Sequence, residues 1–229
     1  MSAQPLVFAG VKKRFNSGPW VLDGLTAEIP LEGLTFIIGK SGEGKSVLCR
    51  LAVGLLKPDT GRVSMLGQAV HTLSESALTA LRAQAPYLVQ GPALLDWLSL
   101  EENVALGLPR ATAKAQAQAA LASLGLSDWG ARFPHQVSPA LQKRVAIARA
   151  LARRPKYLLM DEPTTGLDHE AAGQVHEAVL ELKRQGLGAL IVSHDWNAVR
   201  HLADRVLELK SGSVAFLGSA SSFFAQRDT

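Results

Sequence analysis

The stretch Gly39-Lys40-Ser41-Gly42-Glu43-Gly44-Lys45-Ser46 follows directly on the apolar run Leu34-Thr35-Phe36-Ile37-Ile38 and leads into Val47-Leu48-Cys49-Arg50-Leu51. It fits G-x-x-x-x-G-K-[ST]. The β-rich run before it and the helix formers after it predict a strand, a phosphate-binding loop and a helix in succession. The glycines let the backbone approach a polyphosphate with successive N–H groups turned inward, and the start of the helix adds the positive end of its dipole. Lys45 is placed to reach the β- and γ-phosphates, and the Ser46 hydroxyl to coordinate Mg²⁺. A glycine-rich turn of purely structural use is the alternative, and it leaves the match at every defining position unexplained.

Before this loop, Leu6 to Phe15 and Val21 to Ile29 read as short β segments separated by the turn cluster Asn16-Ser17-Gly18-Pro19. After it, Lys57-Pro58-Asp59-Thr60-Gly61 stops the first helix and Arg62 to Gly67 reads as another strand. Thr72, with Glu75 three residues on, predicts a capping box for a helix through Arg82, and Tyr87-Leu88-Val89-Gln90 predicts a short strand. From Ser99 to Leu151 the pattern turns helical. Ser99 and Glu102 suggest a cap, and the alanine-rich Thr112 to Leu124 favours an ordinary helix over low complexity. Strands return at Tyr157 to Asp161 and Ala189 to His194, with helices over Glu170 to Gln185 and Trp196 to Ala203. A hairpin of Arg205 to Leu209 and Ser213 to Leu217 closes the chain. Strands alternating with helices around a phosphate loop predict a mainly parallel sheet covered on both faces.

The 229 residues are 47% hydrophobic and 19% charged, so the composition supplies ample core for one domain. No run approaches the roughly 18 apolar residues of a membrane span, and Met1-Ser2-Ala3-Gln4-Pro5 lacks the parts of a signal peptide, so a cytoplasmic location is expected. The single cysteine, Cys49, excludes an internal disulfide and reads as buried packing. A net charge of +4, scattered along the chain, does not indicate a nucleic-acid partner.

A bound Mg-nucleotide needs a second carboxylate near the metal, and hydrolysis needs a base for the attacking water. Asp161 and Glu162 end an apolar strand, which places them at the carboxyl edge of the sheet, where open α/β sheets bind ligands. Asp161 is expected to hold Mg²⁺ through water and Glu162 to act as general base. His194 ends another apolar strand and would arrive at the same edge, within reach of a γ-phosphate. Gln90 either contributes a neutral oxygen to the metal or is an ordinary surface residue.

Together, these motifs, their order and their spacing resemble the nucleotide-binding domain of ABC transporters across nearly the whole chain. The resemblance implies an α/β P-loop NTPase fold as one domain over 1–229. Its mainly parallel sheet is flanked by helices, with an antiparallel β part near the N-terminus and a helical subdomain over about 91–152. Gly39 to Ser46 matches the Walker A motif, and the nucleotide set extends to Val47. Gln90 matches the Q-loop, Tyr157 to Asp161 the Walker B strand, Thr165-Gly166-Leu167-Asp168 the D-loop, and His194 the switch histidine. Phe15 stands where the family stacks an aromatic ring on adenine; on physical grounds alone it could equally be core. Val145 to Leu151 looks like the helix after the signature loop. ATP and Mg²⁺ are the implied ligands. The implied partners are a multi-span membrane permease and a second ATPase subunit, expected as a homodimer on the cytoplasmic face of the inner membrane.

The signature departs from the family pattern. Where the family usually reads Leu-Ser-Gly-Gly-Gln, this chain has Val137-Ser138-Pro139-Ala140-Leu141. In the family this loop closes over the γ-phosphate bound to the other subunit. Ser138 remains a good helix cap, and Pro139 at the first helical position loses an N–H that the helix does not use. The N–H groups of Ala140 and Leu141 are left to face an anion. Hydrolysis is expected to persist, and restoring Ser-Gly-Gly-Gln is expected to raise its rate.

A narrower resemblance rests on Gly44 to Leu48 and on Gln90 to Val104, which look like the ATPases of MCE-associated, Mla-type lipid transporters. It implies lipid or phospholipid transport and an MCE-domain partner. Leu94, Leu95, Trp97 and Leu98 would suit a groove for the permease, with two or three of them serving instead as core. The alternatives are a generic solute importer or exporter, and a nucleotide-gated regulatory subunit with little turnover. An ABC-type ATPase acting on nucleic acid would need a coiled-coil insertion or a basic stripe, and neither is present in the sequence.

Overall fold

Phe36 and Ile37 are neighbours on strand β3 (Leu34–Ile38), point to opposite faces of the sheet, and are both buried. Strands β7 (Tyr157–Asp161) and β8 (Gly188–Val192) are likewise buried along their whole lengths, as apolar runs covered on both faces should be. The chain is described by a computed structural model covering residues 4–227. Met1 to Ala3, read above for a signal peptide, lie outside the described residues.

β3 pairs in parallel with β8, Phe36 opposite Ile191, and β8 with β7, Ile191 opposite Met160. Adding β6 (Tyr87–Leu88), β9 (Arg205–Lys210) and β10 (Ser213–Ser219) gives a six-stranded sheet in the order β10-β9-β3-β8-β7-β6. Among these pairs β9 and β10 alone run antiparallel. On one face Phe36, Met160 and Ile191 share a core with Val145 of α5 (Pro139–Leu151) and Val175 of α6 (His169–Arg184). On the other face Ile37, Leu159 and Val192 pack with Leu48 of α1 (Lys45–Ala52) and with Leu6 and Phe8. The last two belong to a four-stranded antiparallel sheet, ordered β2-β1-β4-β5, of β1 (Leu6–Arg14), β2 (Trp20–Ile29), β4 (Thr60–Met65) and β5 (Gln68–Ala69). The α1 helix is therefore held between two sheets.

Two local expectations need correction. The cap of α2 (Glu75–Gln84) is Ser74, whose Oγ accepts from the Ala77 N–H at 3.3 Å. Thr72 ends a 3₁₀ turn, and its hydroxyl donates to the Ala69 carbonyl at 2.8 Å instead, so Glu75 is the first residue of the helix rather than its third. Strand β6 stops at Leu88, where its pairing with Met160 ends, and Val89 and Gln90 are exposed beyond it. The Ser99–Glu102 box at the start of α3 (Leu100–Ala105) is complete. The Glu102 N–H donates to Ser99 Oγ at 3.2 Å and the Ser99 N–H to Glu102 Oε2 at 2.7 Å. The alanine-rich stretch forms α4 (Ala113–Ser123), burying Ala117, Ala120 and Leu121. The short helices α7 (Trp196–Leu202) and α8 (Ala220–Ala225) complete the fold. No helix among the described residues is long and apolar enough to cross a membrane.

Candidate nucleotide site

The carboxyl end of β3 runs through Gly39 to Gly44 into α1. Gly44 takes the cap position at φ +91°, and a Cβ there would lie 2.8 Å from Leu22 Cδ2. A Cβ on Gly39 would meet the Leu209 carbonyl oxygen at 2.7 Å. Glycine is needed at both positions by conformation or by space. Among the described residues no side chain caps α1, so the amides of its first turn have no side-chain cap in competition with an anion. The Lys45 ammonium is buried and folds back on the loop, donating to the Gly39 and Lys40 carbonyls at 2.9 and 2.8 Å.

Asp161, the last residue of β7, is brought to the same point from a different strand. The Ser46 hydroxyl donates to Asp161 Oδ1 at 2.8 Å and the Tyr87 phenol to Oδ2 at 2.6 Å. Burial and the carboxylate together push the Tyr87 pKa up, so the phenol remains a donor. A hydroxyl and a carboxylate converging on one point are hard oxygen ligands of the kind that Mg²⁺ takes, so the residues present fit that ion.

Glu162 follows with its backbone in the left-handed region at φ +48°, a conformation costing about 1 kcal/mol or more outside glycine. Its N–H donates to the Val192 carbonyl at 3.0 Å, which ties it to the end of β8. The Thr165 hydroxyl donates to Glu162 Oε2 at 2.8 Å, and His194 Nδ1 lies 3.6 Å from Oε1. A cavity of about 200 Å³ joins Glu162 to Ser41, Gly42, Lys45, Ser46 and Val21.

The remaining expected residues lie further out. Among the described residues Gln90 is exposed and makes no hydrogen bond to Ser46 or Asp161. Phe15 lies just past the end of β1, 46% exposed, with the Lys13 ammonium 5.7 Å from its ring centre. Ser138 caps α5, and its Oγ accepts from the Leu141 N–H at 3.3 Å. That cap occupies one of the two amides expected to face an anion. The side chains of Ala140 and Leu141 are buried in the core, so leucine at 141 packs inward. In the segment after Gln90, Leu94 packs against the core, Leu95 and Leu98 are half-buried, and Trp97 is 73% exposed.

Sequence reasoning missed the roles of four side chains that hold these parts in place, although Thr165 and Arg149 fall within stretches matched to the family. Tyr87 was read only as a strand residue, although an aromatic with a polar tip beside an expected metal site was a signal. The Thr165 hydroxyl, three residues past Glu162, was another. Asn103 is fully buried; it accepts from the Leu95 N–H at 2.7 Å and donates to the Leu98 carbonyl at 3.1 Å. Arg149 donates to the Pro92 and Ala93 carbonyls at 3.0 and 2.7 Å. No local pattern announces these last two, because each bridges segments distant or irregular in sequence.

The family model described as ABC transporter matches residues 22–165. The chain belongs to the ABC transporter family. The methionine import ATP-binding protein MetN of Mesorhizobium japonicum is 37% identical over 221 residues, covering 94% of this chain and 60% of that protein. MetN of Corynebacterium diphtheriae is 32% identical over 238 residues, covering all of this chain and 70% of that protein. The chain thus spans about three-fifths of the first of these relatives. Among solved structures, cbiO1 from Clostridium perfringens, part of the ABC transporter complex cbiONQ, superposes with a TM-score of 0.89. It is 28% identical, with 100% of this chain and 93% of that chain covered. The ATP-binding cassette MJ0796, a dimer in a post-hydrolysis state bound to ADP and Pi, superposes with a TM-score of 0.81. It is 27% identical over 94% of this chain and 98% of that one. The α/β P-loop ATPase fold expected of the family is the fold observed. None of these relatives carries lipid transport or an MCE-domain partner in its name, so the narrower lipid resemblance gains no support from them.

Proposed function

We propose that the chain is the ATP-hydrolysing subunit of an ABC importer for a small solute. In this reading it works at the cytoplasmic face of the membrane, beside a separate multi-span permease and a second copy of itself. The observation that carries the reading is the placement of Glu162 in one cavity with Lys45 and Ser46, next to the Ser46–Asp161 pair. Gly39 to Val47 cradle the phosphates of ATP through backbone amides, and Lys45 exchanges the loop carbonyls for phosphate oxygens. Ser46 and Asp161 hold Mg²⁺, with Tyr87 fixing the second carboxylate oxygen; when bound, the ion offsets phosphate charge. Glu162 takes the proton of the attacking water on Oε1, the oxygen that Thr165 leaves free, and His194 stands beside it to contact the γ-phosphate. Phe15 supplies a ring for the base.

Likeness to methionine importers over nearly the whole chain supports a solute cargo, with methionine the first substrate to test. It outweighs the lipid reading, which rests on two short segments. The test compares wild type with Glu162→Gln in the complex copurified from membranes. Glu162→Gln is expected to lower ATP hydrolysis at least about 100-fold, the worth of a general base, while leaving ATP binding in place. Equal rates in the two proteins would favour the regulatory alternative. Uptake of labelled methionine that depends on Glu162 supports the importer, and ATPase stimulation by phospholipid alone would refute the solute reading.

A further inference from the structure

Lys143 lies in the second turn of α5, five residues past Ser138, and only 9% of it is exposed. A buried ammonium needs partners, and this one donates to the Thr165 carbonyl at 2.8 Å. Burial holds its pKa below the usual lysine value, with Glu162 pulling the other way. It also shares a small cleft with Gln90 and Pro163, at the junction of three segments distant in sequence. Thr165 in turn makes two bonds to Glu162: its hydroxyl donates to Oε2 at 2.8 Å and its N–H to the main-chain carbonyl at 3.2 Å. Glu162 is held at φ +48°, a conformation that persists where surrounding contacts over-determine it.

We propose that Lys143 and Thr165 are positioning residues for Glu162, so that the helix carrying the altered Val137–Leu141 loop also aims the carboxylate of its own chain. This rests on the ATPase reading above. The α5 helix then has two tasks. Its N-terminus offers Ser138 outward, and its second turn grips the 162–165 turn through a buried cation. A displacement of α5 at its exposed end is carried to Oε2 of Glu162 through two hydrogen bonds.

The experiment measures kcat and KM for ATP in the full chain copurified with its membrane partner. Wild type is compared with Glu162→Gln, Thr165→Val, Thr165→Ser, Lys143→Met and the Thr165→Val/Lys143→Met pair. Thr165→Val and Lys143→Met are each expected to lower kcat about tenfold with KM within about twofold, because the phosphate loop is untouched. Thr165→Ser, which keeps the hydroxyl, stays within about threefold of wild type. The double variant falls little further than the worse single one, since both act through the same turn. A structural role alone would lower thermal stability without splitting kcat from KM and without rescue by serine. Wild type no faster than Glu162→Gln overturns the ATPase reading and the relay together. An active wild type with unchanged kcat in Thr165→Val and Lys143→Met, a serine variant as slow as the valine one, or a double variant slowed about 100-fold overturns the relay alone.

Discussion

The N-terminus of α1 and the N-terminus of α5 are both helix ends that the family resemblance aims at phosphate, and they are finished in opposite ways. The α1 helix starts from Gly44 in the left-handed region and has no side-chain cap among the described residues, while the Lys45 ammonium stands beside it as a partner for an anion and the Ser46–Asp161 pair offers oxygens to the cation that accompanies one. The α5 helix starts from Ser138, which occupies the Leu141 N–H, and from Pro139, which has none to offer. Each helix carries the same backbone dipole, so the dipole does not distinguish them. What differs is how many first-turn amides are left for a ligand. A side chain that stabilises a helix end takes away part of its use as an anion site.

The largest effect that would break this contrast is expected at Gly44. Gly44→Ala puts a Cβ against Leu22 at positive φ, and nucleotide affinity is expected to fall at least about tenfold as the loop shifts, a cost above the roughly 1 kcal/mol of left-handed strain alone. Titration with a fluorescent ATP analogue measures it, and unchanged affinity would mean that the cradle does not depend on this glycine. Next comes replacement of Val137–Leu141 by Leu-Ser-Gly-Gly-Gln. Hydrolysis is expected to rise about tenfold, the worth of one charge-assisted hydrogen bond restored to phosphate. The melting temperature is expected to drop by several degrees, because glutamine enters a buried position. A rate that stays level would show that the closed helix end already suffices. The smallest effect concerns the cap: Ser138→Ala is expected to cost about 1 kcal/mol, or roughly 2–4 °C in melting temperature. A melting curve that does not move would remove Ser138 from the cap role and reopen the Leu141 amide.

Legibility in the sequence followed the range of each interaction. The phosphate loop, the buried strands of the parallel sheet and the Ser99–Glu102 box were readable because each is local: a glycine spacing, an unbroken apolar run, two residues three apart. The α2 start was misplaced by two residues because Thr72 and Ser74 are both competent caps, and only the Ala69 carbonyl decided which hydroxyl was free. At the site, Lys45, Ser46, Asp161 and Glu162 stood out as motif residues. Tyr87 and Lys143 did not, since each matters through an oxygen supplied by another segment, and Thr165 stood out only as part of the D-loop match, not through its hydroxyl's bond to Glu162. The segment after Gln90 shows the opposite hazard: its likeness to lipid-transport ATPases was legible, and the longer similarity to methionine importers outweighs it.

The sequence by itself determined that a glycine-rich turn joins an apolar strand to a helix, that carboxylates end another buried strand, and that the loop before α5 lacks its glycines. Those are properties of spacing and side-chain type, which survive in an unfolded chain. Only the tertiary structure decided that Ser46 meets Asp161, that Leu141 turns into the core, and that a lysine on α5 grips the turn carrying Glu162. These depend on strand order and helix packing, which bring residues more than a hundred positions apart to within a hydrogen bond.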